Sequence, residues 1–329
     1  MEEFKLIELQ QSRDFSRKIN STFEFLRQNF KPLLKSILYI AGPPVLVGSL
    51  LLGSFIGEFF SLIQGAQTGS PEMAADYFLS VSFWLQLILM VILLFISYII
   101  TIATINAYII LYKERQTNKL EVSEVWNKAR QIFWPYLGTT ILFFLAFIIA
   151  YIALLIPIFI LGDMSSVLLV FLGFPIVIGG IVYLIISSSL TYFVQAYEKK
   201  NFFDSIARSF RLVNNGKWWS TFGLLAILQL IVGTVSYIFL IPYYVIMFTA
   251  SLHSAQSGSP FQLSDTMGII ILVCFTLYYL AQMLMYSLPH IGVAFQYFNL
   301  VELKEARGLM SQIETLGQQD TSTRPEENF

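Results

Sequence analysis

Apolar and charged residues fall along this chain in long alternating blocks. Five stretches, 78–112, 137–162, 166–197, 218–250 and 266–301, contain no Asp, Glu, Lys or Arg. Each exceeds the roughly 20 apolar residues that cross a bilayer as a helix. A sixth, Ser36 to Gly57, is also free of charge but carries Gly42-Pro43-Pro44. Paired prolines remove backbone donors and clash with the preceding turn, so the pattern predicts a kinked or broken first span. As a helix, 78–112 would measure about 52 Å against about 30 Å of hydrocarbon, so tilt, bending or projection from the membrane is expected.

The shorter blocks between the spans read as amphipathic helices. Phe15, Ile19, Phe23, Leu26 and Phe30 fall on one helical face, with Arg17, Lys18, Glu24 and Arg27 elsewhere. Val122, Val125, Trp126, Ala129, Ile132 and Phe133 make a second stripe, and Phe202, Ile206, Phe210 and Val213 a third. Asn201 can cap the third helix, Asp204 suits its N-terminal end, and Asn215-Gly216 can terminate it. The entries to the spans, Lys31-Pro32-Leu33, Trp134-Pro135-Tyr136 and Lys217-Trp218-Trp219, suit the headgroup level. Trp126, Trp134, Phe210, Trp218 and Trp219 are the expected interfacial anchors.

The pattern therefore predicts an all-α integral membrane protein with six transmembrane helices. They form three parallel repeats (about 12–112, 118–197 and 201–299), each preceded by a cytoplasmic amphipathic interfacial helix. At an offset of 85, Trp134, Gly138, Leu145 and Leu155-Ile156-Pro157 correspond to Trp219, Gly223, Leu230 and Leu240-Ile241-Pro242, and Tyr112 to Tyr197. Repeats that all begin on one side imply an axis along the membrane normal. Spans one, three and five are expected to kink at their prolines. The outer loops share Ala66-Gln67-Thr68-Gly69-Ser70-Pro71 and Ala255-Gln256-Ser257-Gly258-Ser259-Pro260, which read as turn-rich loops. Residues 1–316 form one membrane domain, with a stripe of Leu300, Leu303, Met310, Ile313 and Leu316 at its end. Residues 317–329 read as a disordered cytoplasmic tail.

Charge fixes the expected orientation. The 20 Lys and Arg residues all lie in the N-terminal segment, 113–136, 199–217 and the C-terminal segment. The opposite connections hold Glu58, Glu72, Asp76, Asp163 and Asp265 and no basic residue. Positive charge is retained in the cytoplasm, so both termini are expected there. Charged residues make up 12% of the chain against about 25% in soluble domains, too few to solvate its surface. The first thirty residues are polar and predict no cleavable signal peptide. One cysteine, Cys274, excludes an intramolecular disulfide framework.

The segment Ala207-Arg208-Ser209-Phe210-Arg211-Leu212-Val213-Asn214-Asn215-Gly216-Lys217-Trp218-Trp219, followed by an apolar span, resembles a group of bacterial six-helix inner-membrane proteins. These are related to the membrane domain of some glycerophosphoryl diester phosphodiesterases. The resemblance implies a shape and a bacterial cytoplasmic (inner) membrane location. It brings no catalytic residues, because the phosphodiesterase chemistry belongs to a separate soluble domain.

No catalytic constellation emerges. His253 and His290 are the only histidines, so no His-Glu-x-x-His zinc site exists, and no Gly-rich loop ends in Gly-Lys-Ser/Thr. No cofactor or metal is expected. Buried polar groups are the remaining candidates: His290 in span six, Gln282, Asn106, and Glu58 at the end of span one. His290 is read as structural, hydrogen-bonded to a carbonyl freed by Pro289, in preference to a proton relay. Gln86, Gln195, Gln229 and Ser187-Ser188-Ser189 are read as helix-to-helix contacts. The expected function is non-enzymatic, a scaffold or accessory subunit of a membrane complex. The alternative is a transporter or channel for a lipid-like or neutral solute. Expected partners are membrane lipids and another membrane or cytoplasmic protein. The basic residues are too interleaved with apolar anchors for nucleic acid.

Overall fold

The structure, a computed structural model, describes residues 6–67, 76–161, 174–258, 264–306 and 310. The shared loop strings fall partly outside these residues, and Ile313, Leu316 and the tail 317–329 lie wholly outside them. Among the described residues the regular structure is helical throughout: α1 (Phe15–Ile40), α2 (Gly42–Gln67), α3 (Val81–Arg115), α4 (Val122–Leu161), α5 (Phe174–Ser188), α6 (Thr191–Glu198), α7 (Phe202–Val213), α8 (Trp218–Tyr237), α9 (Ile241–Ser257), α10 (Asp265–Met285) and α11 (Ser287–Glu305). Six segments are long and apolar enough to cross a membrane: Gly42–Phe59, Val81–Arg115, Val122–Ile152, Ile178–Glu198, Trp218–Ser257 and Thr266–Glu305. This is the architecture of a multi-pass membrane protein.

Five of the described prolines lie in the first turn of a helix. Pro43 and Pro44 lie in the first turn of α2, Pro175 in that of α5, Pro242 in that of α9 and Pro289 in that of α11. A first turn has no intrahelical use for the missing N–H. Span one accordingly joints at Ala41, span five at a 3-10 turn (Ile238–Leu240), and span six at Tyr286. Span three departs from expectation, because α4 runs unbroken through Pro157. The shared Leu-Ile-Pro therefore gives a continuous helix in one span and a joint in another. Span four is jointed without a proline, between Ser188 and Thr191.

The entry helices also differ from the sequence reading. Only α7 is a separate amphipathic helix. The first and second are the opening turns of α1 and α4, which continue through Pro32 and Pro135. Pro32 frees the Gln28 carbonyl, and the Asn118 side chain donates to it at 3.5 Å.

The buried face matches the predicted stripe only in part: α1 half-buries Ile19 and Leu26 of its stripe, and α7 holds its stripe at the edge of the buried face with Val213 inside. In α1 the buried line is Lys18, Thr22, Phe25, Asn29, Leu33, Ser36 and Ile37, while Phe15, Phe23 and Phe30 face outward. In α7, Ser205, Arg208, Ser209, Leu212 and Val213 are buried, while Phe203 is exposed and Phe202, Ile206 and Phe210 are half-buried. Only the second helix buries its apolar stripe, through Val125, Ala129 and Ile132. A polar line can face inward because its groups are satisfied locally. Thr22 donates to the Lys18 carbonyl at 2.8 Å, Asn29 to Phe25 at 2.9 Å and Ser36 to Pro32 at 2.9 Å.

Burial is concentrated at the end that carries the Lys and Arg residues, here the basic end. There α11 forms a central pin packed by α1, α3, α6, α7 and α8. From Ser287 to Val301 every residue except His290 is buried, as suits a helix enclosed on all sides. The last four turns of α3, the start of α4, and α6 pack into the same core through Tyr108, Tyr112, Tyr136 and Phe193. The N-terminal segment closes it: the Ile7 N–H donates to the Tyr112 hydroxyl at 2.9 Å and the Arg13 N–H to Asn299 Oδ1 at 2.7 Å.

Away from this end the bundle opens. In α4, residues 141–152 are almost all exposed, with Phe143 in ring contact with Tyr192 and Phe202. None of the described residues of α9 is buried. There α2 stays packed on α10, where a Cβ on Gly53 would stand 3.1 Å from the Leu272 backbone, and on α3, where a Cβ on Gly48 would stand 3.2 Å from the Leu94 side chain.

Candidate functional site

Of the four polar residues singled out in the sequence, Asn106 enters a hydrogen-bond chain within the packed core, while Gln282 and His290 flank Tyr286 at the joint of span six. Asn106 on α3 donates to the Tyr136 hydroxyl at 2.7 Å, and Tyr136 donates to the Tyr192 carbonyl at 2.6 Å. The Tyr192 hydroxyl shares a 2.9 Å hydrogen bond with Thr140, and its ring meets Tyr136 edge-on at 5.0 Å. Tyr286, at the joint of span six, packs edge-on against Tyr98 at 6.0 Å and lies 5.5 Å from the His290 ring. Gln282 sits one turn earlier, its carbonyl accepting the Tyr286 N–H at 2.9 Å. Two buried atoms, Asn106 Oδ1 and Gln282 Oε1, have no hydrogen-bond partner among the described residues. Glu58 does not join them. It lies toward the far end of α2, accepting from Tyr77 at 2.6 Å.

Gln195 makes an inter-helix contact of the expected kind, accepting from Thr139 at 2.8 Å. The serine run does something more specific. Ser187 and Leu190 flank the joint of span four, and Ser209 of α7 closes it. Its hydroxyl donates to the Ser187 carbonyl at 2.7 Å and accepts the Leu190 N–H at 3.2 Å.

A second polar assembly, which the sequence reading did not single out, lies at the basic end. Arg208 reaches Glu198 through Nε at 3.1 Å and Glu305 through Nη1 at 2.5 Å, tying α7 to α6 and α11. Tyr297 donates to the same Glu198 at 2.6 Å, and Lys200 pairs with it at 2.7 Å. Burial disfavours the Arg208 charge, but its bond to Glu305 and the field of Glu198 outweigh that, so its pKa is raised. Nearby, the Lys113 ammonium stands 4.7 Å from the centre of the Tyr197 ring and 4.4 Å from that of Phe298, and bonds Gln10 at 3.0 Å. An open depression of about 570 Å³ is lined by Lys113, Glu114, Tyr197, Glu198 and Lys200.

Lys18, like Arg208 and Arg13, is a buried cation. It donates to Ser220 at 2.8 Å and Gln296 at 2.7 Å, and Gln296 donates onward to Thr221. Burial, then repulsion from Lys217, lowers its pKa to about 8, with Asp14 opposing. Arg208 lay within the quoted motif, but nothing in its spacing distinguished it from the exposed Arg211. Lys18 lies off the predicted apolar stripe of its helix.

The aromatic anchors divide. Trp134 and Trp219 are 70% and 77% exposed and Trp126 also points outward. Trp218 is half-buried and stacks on Phe222 at 5.5 Å and Tyr183 at 6.0 Å. Phe210 is half-buried. Among the described residues, no three His, Cys, Asp or Glu side chains gather to hold a metal ion. No protein-family model, curated protein or solved structure matches the chain.

Proposed function

We propose that this chain is a non-enzymatic scaffold or accessory subunit of a bacterial inner-membrane complex, with both termini cytoplasmic. The observation that carries this reading is the solid core at the basic end. With α11 buried from Ser287 to Val301 apart from His290, and α1, α3, α6, α7 and α8 around it, the described residues fill that end. A static carrier presents fixed surfaces instead, and here these are the depression beside Arg208 and the outward aromatic faces of α1 and α7. The orientation rests on the one-sided distribution of Lys and Arg. Three parallel helix–span–span units are supported by the matches at an offset of 85 and by each unit starting at the basic end. The inner-membrane location and the relation to the phosphodiesterase membrane domain rest on the Ala207–Trp219 motif.

The test is flux together with assembly. Purified protein in liposomes should pass glycerol and flip fluorescent phospholipid no faster than empty liposomes. Gentle extraction and native mass spectrometry should find the chain in a complex of fixed stoichiometry. Accelerated flux that the monomer alone supports would overturn the scaffold reading. It would favour the second one, carriage of a lipid-like or neutral solute, which the uncharged polar groups flanking Tyr286 support.

A further inference from the structure

The outward face of α1 carries charge as well as aromatic rings. Arg27, Lys31 and Lys35 are exposed at four-residue intervals, so they climb one side of the helix over about 12 Å. Phe23, Phe30 and Leu38 stand exposed among them, and the Tyr39 ring lies 6.0 Å from the Lys35 ammonium. The opposite side of the helix is the buried line from Lys18 to Ile37. Among the described residues none of the three cations forms an ion pair, whereas Arg17, Arg115, Lys128, Lys200 and Arg208 each do. Glu24 is the one carboxylate along α1, so three cations against it leave the face positive. The start of α4 shows a smaller version, with Trp126, Arg130 and Trp134 exposed at the same spacing and one cation in place of three.

We propose that this face of α1 binds the headgroup of one anionic phospholipid, with Lys31 and Lys35 on either side of its phosphate. Arg27, one turn further out, adds to the field that draws the lipid in. Place and charge select this occupant. Lys35 is the last charged residue before the charge-free stretch 36–57, and the headgroup layer on each side of a bilayer is about 5–8 Å deep. Lys31 and Lys35 thus stand at the height of lipid phosphates, and Leu38 and Tyr39 at that of the first acyl carbons. Lysine stems can lie on such apolar surface while the ammonium reaches the phosphate. A nucleic acid or an acidic protein would have to displace lipid from this layer to meet the same two lysines. A zwitterionic lipid carries its own cation beside its phosphate and gains less from three positive side chains. The site rests on the membrane reading above and gives one surface of the scaffold its partner. Flux and stoichiometry, which test the scaffold itself, do not depend on it.

Native mass spectrometry of the full chain, with phosphatidylglycerol or phosphatidylcholine of matched chains added in detergent, tests this. The first phosphatidylglycerol should bind about tenfold more tightly than the first phosphatidylcholine, and the preference should shrink as salt rises. A cation near an anionic lipid surface is worth roughly fivefold in affinity. Lys31→Gln with Lys35→Gln should therefore weaken phosphatidylglycerol about tenfold or more and leave phosphatidylcholine unchanged. Lys199→Gln with Lys217→Gln removes the same charge from exposed sites elsewhere and should leave the preference near that of the parent. Glycerol 3-phosphate should not compete, because its phosphate has no chains to hold it at this height. The α1 double variant should melt with the parent, since both of its lysines are exposed. If it folds poorly, Lys31→Gln alone should still weaken phosphatidylglycerol about threefold or more. Equal affinity for the two lipids, equal loss in the two double variants, displacement by glycerol 3-phosphate, or a single variant that binds like the parent would overturn the proposal.

Discussion

Arg208 and Arg211 stand three residues apart on α7 and share a charge, yet their surroundings give them opposite weights. Arg208 is nine-tenths buried between two carboxylates, whereas Arg211 is exposed. Arg208→Gln removes the cation that Glu198 and Glu305 share, while Glu198 keeps Tyr297 and Lys200, so a cost of about 1–3 kcal/mol is expected. Arg211→Gln should stay within about 0.5 kcal/mol. Thermal unfolding in detergent should therefore separate the two variants clearly, and adding Glu198→Gln to Arg208→Gln should restore part of the loss. Lys18 gives a second residue-level expectation, through pH. Below about 8 the folded and unfolded chains both carry its proton. Between about 8 and the ordinary lysine value of 10.5 the unfolded chain binds one proton more. Stability should thus rise with pH across that window, by roughly 1–3 kcal/mol, and level off above it. The rise should vanish in Lys18→Met relative to the parent chain. An identical rise in both would mean that another group titrates.

At the scale of elements, the joints carry the argument. Prolines in first turns explain those of spans one, five and six. Span four has no such proline, and its two loose backbone groups are met by one hydroxyl from α7. Ser209→Ala should therefore leave buried groups unsatisfied at a cost of about 1–3 kcal/mol. Ser188→Ala, whose hydroxyl is exposed and bonds only its own helix, should change the melting temperature little. The contact of α2 with α10 gives a steric test. Gly53→Leu must push a side chain into the Leu272 backbone, where no rotamer change relieves it, so over-packing of about 1–3 kcal/mol is expected. Gly57→Leu, with nothing near its Cβ, is the matched control.

At the scale of the whole molecule, a closed basic end and opened spans imply that labelling from the two sides should differ. In a Cys274→Ala background, cysteines at Ser70 and Ser259 should react with an impermeant thiol reagent in intact cells, and one at Ser123 should not. Reaction at Ser123 would reverse the orientation or change the number of spans. The same asymmetry explains why hydropathy described the spans and not their packing. Lipid is as apolar as a packed helix face, so in the spans apolar character is no guide to which side meets protein. Residues 141–152 and the enclosed α11 are both apolar runs, yet one is exposed and the other surrounded.

The sequence by itself determined the number of spans, the segregation of charge to one end and the joints of spans one and five at their prolines, though not the unbroken run through Pro157 or the joint of span six. These follow from local chemistry: the cost of charge in hydrocarbon, the length of a helix, and the missing N–H of proline. It also picked out His290, Gln282 and Asn106, because polar groups are scarce enough in such spans to be noticed. Only the tertiary structure decided which face of α1 and α7 turns inward. An apolar stripe predicts an inner face only where the alternative is water. At a membrane surface the stripe can turn outward, leaving the polar side to be satisfied by protein, as Arg208 is by Glu198 and Glu305 and Lys18 by Gln296. Those partners lie 10, 97 and 278 residues away in the chain, and no local pattern couples positions so far apart.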